Sequence, residues 1–332
     1  TGEITDRSFI EVVAEVMGAA MDSDDRIVVL GEDVHRLSGG TNGATKGLRD
    51  KFPDRVLGTP ISENAFSGMA GGMALDGRYR PVAEFMYADF LWVAADQLFN
   101  QIGKARHMFG GDSPVPLVLR AKVGTGTGYG SQHSMDPAGI FATSAGWRIA
   151  APSTPFDYVG MMNSALRCQD PVVMIEHVEL YSTTGEGPVN DLEYCIPVGK
   201  ARVRRAGDGI TVLTYLSMVN HSLAAAEQVP QAGAEVIDLR WLDRASVDWD
   251  TIGASIRKTN NVLIVEQGAI GTSYGGWLSD EIGRRFFDWL DQPVQRVTGS
   301  VASPSISKVL ERAAIAKSDE VARALREYDP HR

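Results

Sequence analysis

An α/β fold with two parallel-sheet domains is predicted by three features of the sequence. Short apolar runs with the character of buried strands alternate with runs of helical period along nearly the whole chain, the pattern of parallel sheets covered on both faces. A stretch at 185–197 mixes polar and turn residues with no period and separates two such series. The length, 332 residues, suits about two domains of ~150 residues, each able to bury a core. The expected domains are 1–190 and 196–332.

The elements follow in order. Residues 8–21 carry Phe9, Val12, Val13, Val16, Met17 and Ala20 at helical spacing, and Ser8 with Glu11 forms a capping-box signature. Ile27, Val28, Val29 and Leu30 read as a buried strand, 33–47 as a loop, and 55–59 as a short strand. Residues 63–75 form a helix whose Gly68, Ala70, Gly71, Gly72 and Ala74 suit close packing. A strand at 81–85, a long amphipathic helix at 90–108 and a strand at 115–120 lead to the glycine-rich loop 124–130. Strands at 147–151 and 172–176 flank a helix at 155–167. The second half alternates again, with strands at 210–215, 235–238, 261–266 and 294–297 and helices at 221–229, 251–258, 275–287 and 319–328.

Composition excludes several classes of function. With 32 basic and 42 acidic residues the net charge is −10, a poor field for nucleic acid or an anionic membrane. Two cysteines, Cys168 and Cys195, suggest neither a disulfide framework nor a metal pair. No apolar run reaches the ~18 residues that span a bilayer. The N-terminus lacks the basic and apolar regions of a signal peptide. The six histidines show no zinc-ligand spacing.

Five segments are weighed for chemistry. The loop 124–130 has alternating glycines but neither dinucleotide nor phosphate-loop spacing, so it reads as a mobile loop bordering a site. Gly207-Asp208-Gly209 lies between strand-like runs and reads as a hairpin turn. Glu63 follows a strand and opens a helix: it is either an acid favouring the helix dipole, with Ser62 as cap, or a carboxylate held where ligands meet parallel sheets. His133, in a polar loop after the glycines, is either a surface histidine or a proton-transfer group. Phe90 is core, or a ring stacking on a planar ligand.

Together these segments resemble the β subunit of the thiamine-diphosphate-dependent decarboxylating component of 2-oxo acid dehydrogenase complexes, of pyruvate and acetoin dehydrogenase type, and more distantly transketolases. The resemblance rests on Leu30-Gly31-Glu32-Asp33, Thr59-Pro60-Ile61-Ser62-Glu63, residues 81–90, Met108-Phe109-Gly110-Gly111, Gln132-His133-Ser134 and Asp238-Leu239-Arg240. It implies a pyrimidine-binding domain followed by a transketolase C-terminal-like domain. It implies that Glu63 hydrogen-bonds the aminopyrimidine and favours the tautomer that deprotonates the thiazolium. Ile61, Met86 and Phe90 would lie beside the cofactor, and His133 would serve proton or acyl transfer near the reactive carbon. The magnesium-diphosphate motif, absent here, would come from an α subunit in an α2β2 assembly, which docks on a dihydrolipoyl acyltransferase core. The activity implied is decarboxylation of a small 2-oxo acid, or cleavage of an acyloin, with acyl transfer to lipoamide. The alternatives are a two-component carboligase or ketol transferase and a non-catalytic assembly subunit. The implied location is the bacterial cytoplasm, or the mitochondrial matrix in a eukaryote.

The chain also departs from the family pattern. Met135-Asp136-Pro137 follows His133-Ser134 where a polar residue is usual, Trp241 and Arg244 replace a Thr and a Pro, and Ser303-Pro304-Ser305-Ile306 replaces a proline-rich stretch. Cys168 stands in the segment 167–171, where the family often binds potassium.

Overall fold

The computed structural model describes residues 2–270 and 273–328. The chain forms two compact units. One runs to Val123 and resumes over Thr143–Val198; the other comprises Gly124–Ala142 and the chain from Gly199 onward.

The first unit contains β1 (Ile4–Ser8), β2 (Ile27–Gly31), β3 (Val56–Gly58), β4 (Arg80–Phe85), β5 (Val118–Val123), β6 (Arg148–Ala150), β7 (Val172–His177) and β8 (Thr184–Pro188). Six of them form a parallel sheet in the order β3-β2-β4-β5-β7-β6. Every residue of β2, β5 and β7 is buried, as a sheet covered on both faces requires.

Three local expectations are corrected here. Residues 4–8 are a strand paired antiparallel with β8, which runs from Thr184 into the stretch 185–197 expected to be aperiodic. Ser8 makes no side-chain cap; the Phe9 N–H at the helix start instead reaches Thr183 O at 3.1 Å. Residues 90–108 are not one α-helix but a 3-10 turn (Ala88–Trp92), a π-helical stretch (Asp96–Ile102) and a short α-helix (Gly103–Met108). The wide turn has an identifiable cause: Leu98 O accepts from Gly103 N, five residues on, and from Trp147 Nε1 at 3.0 Å. The small residues of Glu63–Asp76 pack against this stretch, where a Cβ on Gly71 would meet Ile102 at 2.8 Å.

The second unit contains β9 (Arg202–Arg205), β10 (Ile210–Thr214), β11 (Ala234–Asp238), β12 (Val262–Ala269) and β13 (Gln295–Gly299), in the order β13-β12-β10-β11-β9. Val212, Val236, Leu263 and Val265 pack with Ala225, Ala226, Val321 and Leu325 of the helices Met218–Gln228 and Ser318–Glu327. The sheet is mixed, because β9 pairs antiparallel with β11. Gly207-Asp208-Gly209 is therefore not a hairpin turn; it carries the chain past β11 to the far side. Its glycines serve close backbone approach, since a Cβ on Gly207 or Gly209 would lie 2.3 Å from Gly233 O or 2.2 Å from Ala232 O.

Candidate active site

In the first unit β2 connects to β3 on one side, whereas β4 connects to β5 on the other. The carboxyl ends of β2 and β4 thus flank the point where the strand order reverses, the crevice where α/β sheets hold ligands. The sequence-derived residues of this unit follow these strand ends. Glu63 opens the helix after β3 and is only 7% exposed. Ser62 makes no side-chain cap there, which removes the capping half of the simpler reading of this segment. Met86 and Phe90 follow β4 and are half-buried, with the Phe90 ring perpendicular to Tyr87 at 6.5 Å. Ile61 stands out from the surface, 84% exposed.

Glu32 follows β2 directly; the sequence names it within Leu30-Gly31-Glu32-Asp33 but assigns it no role. Its carboxyl lies close to that of Glu63. Burial, then the neighbouring Glu63 carboxylate, and then Asp33, push Glu32 up to about 7. The available signal was an acid immediately after the glycine that ends a buried strand. Thr59 adds a buried hydroxyl with no hydrogen-bond partner among the described residues. Two neighbouring carboxyls, an unsatisfied hydroxyl and two half-buried apolar side chains suit a planar, nitrogen-bearing ring. Among the described residues, no group of three or more His, Cys, Asp and Glu is placed to hold a metal ion.

Gly31 sets the position of Glu32. Its φ is +154°, and a Cβ there would lie 2.5 Å from Glu84 O on β4. Gly31→Ala is expected to destabilise the chain by about 1–3 kcal/mol, since the clash is with backbone and cannot relax by a rotamer change. Urea denaturation of the variant beside wild type checks this.

In the second unit His133 ends a short turn, Ser131–His133, with its ring stacked on Tyr129 at 5.8 Å. The loop closes on itself: Gly124 N donates to His133 O, Thr125 Oγ1 to Ser134 O, and Ser134 Oγ to Gly130 O, each at 2.7 Å.

The 167–171 segment does not fit a potassium ion. Both Asp170 oxygens face guanidiniums, Arg106 on one and Arg148 on the other at 2.9 Å. Arg80 donates to Leu166 O at 2.7 Å, and Gln169 O accepts from Val115 N at 2.8 Å. A cation would face three fixed positive charges and compete with N–H donors for its oxygens.

Residues 6–184 match the transketolase pyrimidine binding domain, and residues 199–321 the transketolase C-terminal domain. The chain is 35% identical over 325 residues to acetoin:2,6-dichlorophenolindophenol oxidoreductase subunit beta of Cupriavidus necator, covering 95% of each. It is 37% identical over 329 residues to 2-oxoisovalerate dehydrogenase subunit beta of Bacillus subtilis, covering 96% of this chain and 98% of the relative. It is 36% identical to the mitochondrial pyruvate dehydrogenase E1 component subunit beta-1 of Oryza sativa subsp. japonica, covering 94% and 85%. Among solved structures, a split gene transketolase in an inactive beta4 tetramer superposes with TM-score 0.75 at 18% identity, covering 99% of this chain and 98% of that one. That likeness speaks for the fold alone.

Proposed function

Because the chain belongs to the family of β subunits of the thiamine-diphosphate-dependent decarboxylating component of 2-oxo acid dehydrogenases, with transketolase pyrimidine-binding and C-terminal domains, we propose that it supplies half of such an active site. There a small 2-oxo acid is decarboxylated, or an acyloin cleaved, and the acyl group passes to lipoamide. The observation that carries this reading is the placement of two neighbouring carboxyls, Glu32 after β2 and the buried Glu63 after β3, at the crevice of the first sheet.

Thiamine diphosphate, when bound, supplies the electron sink for decarboxylation. Glu63 would hold the aminopyrimidine ring at a ring nitrogen through a charge-assisted bond. Glu32, at about 7, keeps a proton next to Glu63 near neutral pH. Phe90 and Met86 would cover the ring and exclude water, and Ile61 would meet the cofactor once a partner closes over it. His133 would hold or move a proton for acyl transfer.

The partner in this reading is an α subunit that brings the diphosphate site and its magnesium ion, in an α2β2 assembly. Ile61, Met69, Trp92, Val93, Met108 and Phe109 of the first unit are exposed apolar side chains that such a contact would cover. Docking to a dihydrolipoyl acyltransferase core would use the second unit. The location is bacterial cytoplasm, or mitochondrial matrix for a eukaryotic source. The relatives described above are named as oxidoreductases or dehydrogenases, which disfavours the carboligase reading.

The test is reductive acylation of an isolated lipoyl domain by the chain assembled with a cognate α subunit. The expected result is a 2-oxo acid-dependent mass increase on the lipoyl domain. Normal decarboxylation without acylated lipoyl domain would overturn the acceptor assignment.

A further inference from the structure

The departure at Met135-Asp136-Pro137 takes on a role in the second unit. Asp136 lies three residues past His133 and leaves the His133 loop toward the sheet. Its Oδ1 accepts from Ala138 N at 2.9 Å, and its Oδ2 accepts from the Tyr215 hydroxyl at 2.7 Å. Tyr215 directly follows β10 and is 2% exposed. The same hydroxyl lies 3.2 Å from Glu266 Oε2 on β12. Glu266 is fully buried and is held by Gly275 N at 2.9 Å, Ser273 Oγ at 2.7 Å and Arg296 at 3.2 Å.

A phenol has one proton, and here it stands between two carboxyl groups. With Asp136 ionised, the phenol donates to Asp136, and its lone pairs face Glu266. With Asp136 protonated, Asp136 donates to the phenol oxygen, and the phenol donates to Glu266. The second arrangement satisfies every oxygen in the chain and differs from the first by one proton taken from water. Burial first, with the Glu266 charge adding, raises Asp136 to about 6, against the lowering bonds from Ala138 N and Tyr215. Tyr215 is itself raised well above the usual phenol range by burial and by both acids, so it stays protonated. The other groups facing this chain are Arg296 from β13 and Tyr274, which sits under the charges of Glu266 and Asp243. On its own segment the nearest titratable side chain is His133.

We propose that Asp136 is a positioning residue for His133: through Tyr215 and Glu266 it fixes the end of the His133 loop to the second sheet, and gain or loss of one proton in this carboxyl–phenol–carboxyl chain tightens or loosens that anchor. The catalytic part of the inference rests on the reading of His133 as the acyl- or proton-transfer group. The anchor itself does not.

The experiment uses the chain assembled with its α subunit and a lipoyl domain, comparing wild type with Asp136→Ala, Asp136→Asn, Tyr215→Phe and His133→Ala. Asp136→Ala and Tyr215→Phe are expected to lower kcat for lipoyl acylation by about 10- to 100-fold with KM little changed, the scale of a small misplacement of a reacting group. Asp136→Asn keeps an oxygen for Ala138 N and offers an N–H to the phenol, so it should recover much of the loss while erasing the inflection near pH 6 in the kcat profile. Hydrogen exchange of segment 124–138, corrected for intrinsic rate, should show protection that changes between pH 5 and 7.5 in wild type and not in Asp136→Asn. An inflection and a protection change that both persist in Asp136→Asn would overturn the proposal. If His133→Ala acylates normally while the exchange result holds, the His133 reading fails and the anchor stands.

Discussion

Glu63→Gln is expected to lower turnover of the assembled α/β enzyme by about 10²- to 10⁴-fold, the contribution of a positioned proton-handling group, while leaving the fold intact. The substitution keeps volume and one carbonyl oxygen, so Glu32 keeps a polar neighbour and the helix Glu63–Asp76 keeps its start. What it removes is the charge of the buried acid that opens the helix after β3. The loss should fall on kcat more than on cofactor affinity, because the apolar contacts of Phe90 and Met86 are untouched. Decarboxylation followed with an artificial electron acceptor, beside a cofactor titration and a melting curve, separates these effects. Turnover within threefold of wild type would sink the assignment and favour a non-catalytic assembly subunit.

How far the sequence carried this site depends on whether local chemistry or strand order decides each feature. β2, the helix Glu63–Asp76 and the helix Pro155–Arg167 lie within a residue or so of their expected bounds, since apolar period and turn residues are local signals. Glu63 was legible for the same reason, as an acid at a strand-to-helix junction. Glu32 was not, because its significance comes from β2 lying beside β3, and pairing order is not written in either strand. Gly207-Asp208-Gly209 failed in the same way: its composition is that of a turn, and only the antiparallel pairing of β9 with β11 shows that it crosses the sheet end. Residues 90–108 have a helical pattern, and the departure comes from Trp147, which lies 49 positions from the carbonyl it bonds.

The least legible feature has the largest expected effect on stability. Arg120 and Lys122 sit on β5, whose residues are all buried, and each has 0% exposure. Arg120 clasps Glu176 with Nε and Nη2 at 2.6 and 2.8 Å and reaches Glu84 with Nη1 at 2.7 Å. Lys122 completes Glu84 at 2.7 Å, and the hydroxyls of Tyr158 and Tyr181 complete Glu176. Two acids and two bases leave the cluster neutral, and every carboxylate oxygen has a donor. Removing Arg120 by Arg120→Met strips Glu176 of its only charged partner in the cluster, and an uncompensated buried charge costs about 3–5 kcal/mol. Arg120→Met with Glu176→Gln should recover part of this, because the orphaned charge goes with its partner. Acid tolerance follows from the same groups. Burial alone raises Glu84, but the charges of Lys122 and Arg120 outweigh it and hold its carboxyl below the usual range. A lowered acid contributes stability that is present above its unfolded value and is lost as pH falls through its folded one. Without Arg120 that folded value rises, so the acid limb of the stability curve should move to higher pH. Urea denaturation from pH 4 to 8 measures both effects. A cost under about 1 kcal/mol, with the acid limb unmoved, would mean the cluster is rehydrated in the variant and that Arg120 contributes specificity of pairing rather than stability.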